Sequence, residues 1–229
     1  MHKTVIICGG STGIGRSLID NLLAREHLQL VVLSSHVSEL TSVYASNEKI
    51  QLVSFDLTQD VSAQLTELKA QVGPIHALIN NAGRLEKGSF RDLSLESFER
   101  SMHVNFFGPV ALIQTLLPNL EAGNAHVVNI STMGAFQGSV KFPELTAYAS
   151  SKAAITNFTE VFAEEFKATG MRMNCLCLGA VNTPMLRAAF PDYEAKVSAV
   201  EMADFIAEFT LSSGRMMNGK IIPVSTSTP

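Results

Sequence analysis

The sequence predicts an α/β fold, a doubly wound parallel sheet of about seven strands with helices on both faces. Apolar runs of strand length alternate with longer amphipathic stretches from one end of the chain to the other, the pattern of a helix laid between successive parallel strands. Several of the short runs are continuously apolar rather than alternating, as strands covered on both faces must be. With 46% hydrophobic and 17% charged residues in 229, the chain can fill one large core and is no disordered polymer. No linker, repeat or low-complexity tract divides it, so a single domain over residues 1–229 is expected.

Taken in order, strands are expected at residues 4–8, 28–33, 50–55, 75–79, 126–130, 172–177 and 220–224. Helices are expected at residues 14–25, 61–72, 95–117, 145–168 and 199–212. The first strand ends in a glycine cluster at Gly9 and Gly10, the third at Asp56, and the fourth at Asn80-Asn81-Ala82-Gly83. The fifth is followed by Ser131 and the sixth by Leu178-Gly179. The helix after the fifth strand carries Tyr148 and Lys152, then Phe158, Phe162 and Phe166 at spacing four, a stripe that reads as core. Phe106 and Phe107 likewise read as helix packing. Ligands of such sheets bind beyond the carboxyl ends of the strands, so the chemistry is sought there.

Composition excludes several classes. The net charge is −4, without a basic stripe, which argues against a nucleic-acid partner. Mean hydropathy is positive, yet no window approaches the ~18 apolar residues of a membrane span. The opening MHKTVIICGG is too short in its apolar run for a secretory leader. Three cysteines do not make a disulfide framework, and Cys175 and Cys177 lack histidine partners at zinc spacing. A cytoplasmic, metal-free protein is expected, with its six histidines structural or on the surface.

Between the first strand and the first helix stands Cys8-Gly9-Gly10-Ser11-Thr12-Gly13-Ile14-Gly15. Glycines let backbone N–H groups approach a phosphate, and the helix N-terminus adds partial positive charge. Two phosphate-binding readings compete at this point. Gly10-x4-Gly15-Arg16-Ser17 nearly spells the P-loop, with arginine where a lysine must reach the terminal phosphates. The spacing Gly9-x3-Gly13-x-Gly15 reads instead as a dinucleotide turn. Neither is decisive alone.

Four further segments extend the pattern: Asn81-Ala82-Gly83 after the fourth strand, Asn105 in a long helix, Ser131 after the fifth strand, and Tyr148-Ala149-Ser150-Ser151-Lys152. In this order, and over nearly the whole chain to residues 219–224, they resemble the short-chain dehydrogenase/reductase family. The resemblance implies a Rossmann-type oxidoreductase that moves a hydride between NAD or NADP and a small carbonyl/alcohol substrate. It implies a catalytic set of Asn105, Ser131, Tyr148 and Lys152. The cofactor would be lined by Gly9, Ser11, Thr12, Gly13, Ile14 and Gly15 at the diphosphate, and by Asn81, Ala82 and Gly83 beside the ribose. Asp56 and Leu57 would meet the adenine, and Gly179, Val181 and Thr183 the nicotinamide, together with Tyr148 and Lys152. The family's helical interfaces imply a homodimer or homotetramer.

The residue types suit the chemistry. A hydride delivered to a carbonyl carbon leaves charge on oxygen, which needs a proton and hydrogen bonds. A free phenol, with a pKa near ~10, is a poor base at neutral pH. The expectation is that Tyr148 is the general acid/base, Lys152 lowers its pKa and holds the ribose, Ser131 polarises the carbonyl, and Asn105 holds a water leading to Lys152. Thr132 is the fallback hydroxyl. At the end of the second strand, Ser34, Ser35 and His36 replace the acid that would favour NAD, so NADP is preferred. Thr132, Met133, Pro143, Glu144, Leu145, Met185 and Phe190 are expected around a modest hydrophobic substrate.

The chain departs from the family pattern in places. Cys8 replaces a threonine, and Ser131 to Tyr148 spans seventeen residues, which implies an insertion around 140–144. Leu178 replaces a proline, with a looser backbone expected after it. The lid between 185 and 199 is short, as for an open or partner-completed pocket. The rival readings are a dinucleotide-binding redox sensor without chemistry, against which the complete catalytic set speaks, and a phosphotransferase, against which Arg16 speaks.

Overall fold

The computed structural model describes residues 2–226, without the side chains at 213 and 215. Seven parallel strands form the main sheet: β1 (Lys3–Cys8), β2 (Leu28–Ser34), β3 (Ile50–Ser54), β4 (Ile75–Asn80), β5 (His126–Thr132), β6 (Arg172–Leu178) and β9 (Ile221–Val224). Their order is β3-β2-β1-β4-β5-β6-β9. A two-stranded ribbon, β7 (Val181–Asn182) with β8 (Val197–Ser198), stands beside it. The helices are α1 (Gly13–Leu23), α2 (Val37–Tyr44), α3 (Val61–Gln64), α4 (Thr66–Gln71), α5 (Leu95–Met102), α6 (Gly108–Ala122), α7 (Thr146–Glu165), α8 (Pro184–Ala189) and α9 (Ala199–Leu211).

Strand period two sorts the apolar runs into two cores. Val5, Ile7, Leu30, Val32 and Leu176 face α1 and α9, where Leu18, Leu22, Ile206 and Phe209 meet them. Ile6, Cys8, Leu33, Leu78 and Met173 face the other way, against Leu112, Leu116 and Leu120 of α6 and Phe162 of α7. Each interior strand is thus covered on both sides, which is why its sequence is continuously apolar. Strand order reverses direction between β1 and β4, and a crevice opens there at the carboxyl ends.

The departures from the expected elements are local. Residues 61–72 are not one helix: Leu65 leaves helical geometry, its side chain fully buried, and divides α3 from α4. The long helix runs from α5 into α6 through a π-helical turn, His103–Phe107. That turn fits one extra residue and rotates the buried Asn105 into the protein. Phe107 is half exposed rather than core, whereas Phe162 is buried and stacks on Phe166 at 4.3 Å. The helices α2 and α8 were not anticipated. The surplus residues before Tyr148 form a largely exposed loop over 137–144, where the insertion was placed.

Candidate active site

The glycine turn is held by backbone. Gly9 N–H donates to Leu33 O at 2.8 Å, and the N–H groups of Asn81 and Ala82 both donate to Cys8 O at 3.0 and 2.7 Å. The Asn81 amide donates to Gly9 O at 2.6 Å. Gly9 sits at φ +91°, and a Cβ there would lie 2.6 Å from the Ala82 backbone. A Cβ on Gly15 would lie 1.9 Å from Gly9 O. Gly9, Ser11, Thr12, Gly13 and Ile14 line the cleft, and α1 starts at its edge with unpaired N–H groups. Gly15 does not line it, contrary to expectation: it lies behind Gly9, and its missing side chain is what lets the loop close.

The adenosine end is as expected in membership. Ser34, Ser35, His36, Asp56, Leu57, Asn81, Ala82 and Gly83 line the same cleft. Ser34 Oγ accepts from His36 N–H at 3.1 Å, and Ser35 Oγ lies 3.0 Å from His36 Nδ1. Asp56 Oδ1 accepts from both the backbone and hydroxyl of Thr58 at 2.8 Å. Among the described cleft residues Asp56 is the sole acid, and β2 ends without one. A glycine cradle that a Cβ would fill, a helix N-terminus and this polar end together fit a nicotinamide dinucleotide.

At the other end, α7 presents Tyr148 and Lys152 one turn apart, both lining the cleft. Lys152 is 4% exposed, and its Nζ donates to Ile130 O at 2.9 Å. Burial pulls its pKa down to about 8, opposed by attraction to Cys175, Cys8 and Cys177. Burial pushes the Tyr148 phenol up to about 12, offset in part by a hydrogen bond with the Thr132 side chain. Burial also pushes the Cys8 thiol up to about 12, so a neutral thiol faces the lysine.

Two hydroxyls stand at the end of β5, the expected Ser131 and the fallback Thr132, and both line the cleft. Ser131 lines the cleft beside Tyr148 and Lys152, although it is only 3% exposed; its Oγ donates to Lys152 O at 3.1 Å and lies beside the thiols of Cys175 and Cys177. Thr132, the next residue, emerges from the strand end beside the Tyr148 phenol. Asn105 is buried in the π-helical turn. Its Oδ1 accepts from Arg84 N–H, and its Nδ2 donates to Arg84 O and Ser151 Oγ, each at 2.9 Å. The amide braces the Gly83–Arg84 backbone against α7 with both N–H groups and one bond to its oxygen, and that oxygen keeps a second lone pair.

Sequence reasoning missed the floor beneath this cluster. Asn80 donates to Asn129 at 2.8 Å, Asn129 to Thr159 at 2.9 Å, and Thr159 to Ile155 O at 2.8 Å. Two asparagines in apolar strands were the available signal. Gly179, Val181 and Thr183 line the nicotinamide side as expected. Gly179 N–H donates to Val224 O at 2.9 Å, so Leu178 leaves the backbone fixed, not loose. Thr132, Met133, Leu145, Met185 and Phe190 line the substrate side, joined by Leu85, Phe142 and Leu186, which sequence reading did not single out. Pro143 and Glu144 are exposed and lie outside, because Glu144 takes up φ +66° and turns its loop away.

A crevice at the switch point of a doubly wound sheet, lined by a half-buried tyrosine and a buried lysine one helical turn apart, defines a dinucleotide-dependent oxidoreductase. Residues 3–194 match the family model described as short chain dehydrogenase, and the chain belongs to that family. It is similar to a ketoacyl reductase of Nostoc sp., 31% identical over 208 residues that cover 88% of this chain and 69% of the relative. It is also similar to 2-(R)-hydroxypropyl-CoM dehydrogenase of Xanthobacter autotrophicus, 31% identical over 81% of this chain and 77% of that one. Among solved structures, a short chain dehydrogenase/reductase family protein superposes with TM-score 0.85 at 25% identity, covering 97% of this chain and 95% of that one. A 4-hydroxyisoleucine dehydrogenase complexed with NADH superposes with TM-score 0.87 at 21% identity, over 98% and 97%. The protein is thus an NAD(P)-dependent oxidoreductase acting on an alcohol/carbonyl pair.

Proposed function

We propose that the protein reduces a small hydrophobic aldehyde or ketone, with Tyr148 as the proton donor. One observation carries this reading: the Tyr148 phenol stands beside the Thr132 hydroxyl in the cleft that the glycine turn closes. When bound, the nicotinamide supplies the hydride. Tyr148 and Thr132 hold the carbonyl oxygen, and the phenol gives its proton as charge develops there. A phenol pushed up to about 12 is neutral at physiological pH, which suits donation and hence the reductive direction. Lys152, which lines the cleft, would hold the ribose. Ser131 supports the α7 backbone, and Asn105 with Ser151 fixes the turn of α7 that carries Tyr148.

We assign NADP over NAD, because β2 ends in Ser34, Ser35 and His36 with no carboxylate to repel a 2′-phosphate. The apolar wall of Met133, Phe142, Leu145 and Leu186 supports a substrate of modest size and low polarity. A homodimer or homotetramer is proposed from the half-exposed Phe107 and Val161 on the outer helices. A cytoplasmic site of action is proposed from the buried free cysteines. Among the described residues no helix is long and apolar enough to cross a membrane.

The test is Tyr148→Phe, assayed against aldehydes, ketones, quinones and acyl thioesters. NADPH oxidation should fall to background while NADPH still binds by nicotinamide fluorescence. Retained turnover would remove Tyr148 from the chemistry.

A further inference from the structure

We propose that Lys87 is a positioning residue for the reaction: its ammonium fastens the end of α8 and the Phe190 ring to the loop that leads into the tyrosine helix, and so fixes the substrate-side wall of the cleft. The inference rests on the carbonyl-reductase reading for its kinetic arm alone.

Three contacts meet at one atom. Lys87 Nζ donates to Ala189 O at 3.0 Å, lies 4.6 Å from the Phe190 ring centroid and pairs with Glu144 Oε2 at 3.4 Å. Ala189 is the last residue of α8, where carbonyls lack partners within the helix and a cation is favoured. Phe190 lines the cleft and Lys87 does not, so the ammonium holds the ring from behind. Gly88 N–H donates to Glu144 O at 2.9 Å, which joins the same two loops through backbone. Residues 141–145 run directly into α7 and Tyr148.

The contacts are not of equal weight. The Lys87–Glu144 pair is about one-third and one-half exposed, where water screens it, so it adds least. The hydrogen bond to Ala189 O and the stacking on Phe190 do most of the fastening, since a charged donor to a helix-end carbonyl is the stronger kind. Thr183 caps the other end of this six-residue helix, so loss of the ammonium would loosen its C-terminal end and the Phe190 ring while leaving cofactor binding at the glycine turn untouched.

The experiment compares Lys87→Met, which keeps length and loses charge, with Lys87→Arg and Glu144→Gln. In Lys87→Met the KM for the best carbonyl substrate should rise about tenfold, the factor that ~1.4 kcal/mol represents, with kcat within about twofold. The NADPH Kd should stay at the wild-type value. Hydrogen exchange at the amides of residues 186–190 should accelerate in the same variant, with or without cofactor. Lys87→Arg should recover most of the loss, and Glu144→Gln should change little. Wild-type KM with unchanged exchange in Lys87→Met would overturn the proposal, as would a fall in kcat at constant KM. If the wild type reduces no carbonyl compound, the reductase reading fails instead, and the exchange measurement still decides the role of Lys87.

Discussion

The two ends of the cleft are built by different means. At the cofactor end, position is set mainly by backbone: Gly9, Cys8, Asn81 and Ala82 interlock through main-chain groups with one added bond from the Asn81 side chain, and no Cβ is tolerated at Gly9 or Gly15. At the catalytic end, position is set by side chains that a strand and a helix bury against each other, Ser131 on α7 and Thr132 on the phenol. Backbone construction leaves a composition signature, since only glycine meets it. Side-chain construction is decided by which face of a strand a residue takes, and neighbours differ there by half a turn of the pleat.

The sharpest way to break this contrast is at the catalytic end. Thr132→Val should lower kcat by about 10²–10³, the usual loss on removing one donor to a developing oxyanion. Ser131→Ala should stay within about tenfold, since its bond is a neutral one to Lys152 O. The reverse ranking in steady-state kinetics would return the role to Ser131. At the cofactor end, Gly15→Ala should weaken NADPH binding by about tenfold or more in a fluorescence titration, because Gly9 O must move away and overpacking of this kind costs ~1–3 kcal/mol. Unchanged affinity would show that the loop is not braced where Gly15 meets Gly9.

A smaller effect separates fold stability from chemistry. His126 begins the strand that ends at Thr132, with Nδ1 at 2.9 Å from Thr210 O and Nε2 at 2.9 Å from Asn174 Nδ2. Burial lowers its pKa, with only partial opposition from Thr210. The folded value lies below the unfolded ~6.5, so this contribution is intact above that pH and is lost as pH falls through it. The melting temperature should fall by a few degrees between neutral and mildly acid pH, and His126→Gln should flatten part of that slope. A slope identical in the variant would exonerate the histidine.

The same contrast explains how much was legible beforehand. The parallel sheet could be read because Ile6, Val32, Leu78 and Val127 lie in strands buried on both faces, which leaves no alternation to misread. Tyr148 and Lys152 could be read because helical spacing four is a geometric statement. The different partners of Ser131 and Thr132 could not, since both are small hydroxyls at a strand end and their bonds follow from the packing of α7. Nor could the occupation of Asn105: its amide is bonded to the Arg84 backbone, and main-chain partners carry no residue signature. The break at Leu65 and the helix α8 escaped for a further reason, being short segments whose shape follows tertiary contacts rather than local propensity.

The chain of amides from Asn80 through Asn129 to Thr159 has a lasting consequence for how such a molecule can change. It rivets β4, β5 and α7 together under the cleft, so replacing any member leaves its neighbour's polar atom stranded in the interior. New chemistry is thereby steered away from the foundations and toward the rim, where residues 136–145 and 184–196 can be exchanged without loosening the platform.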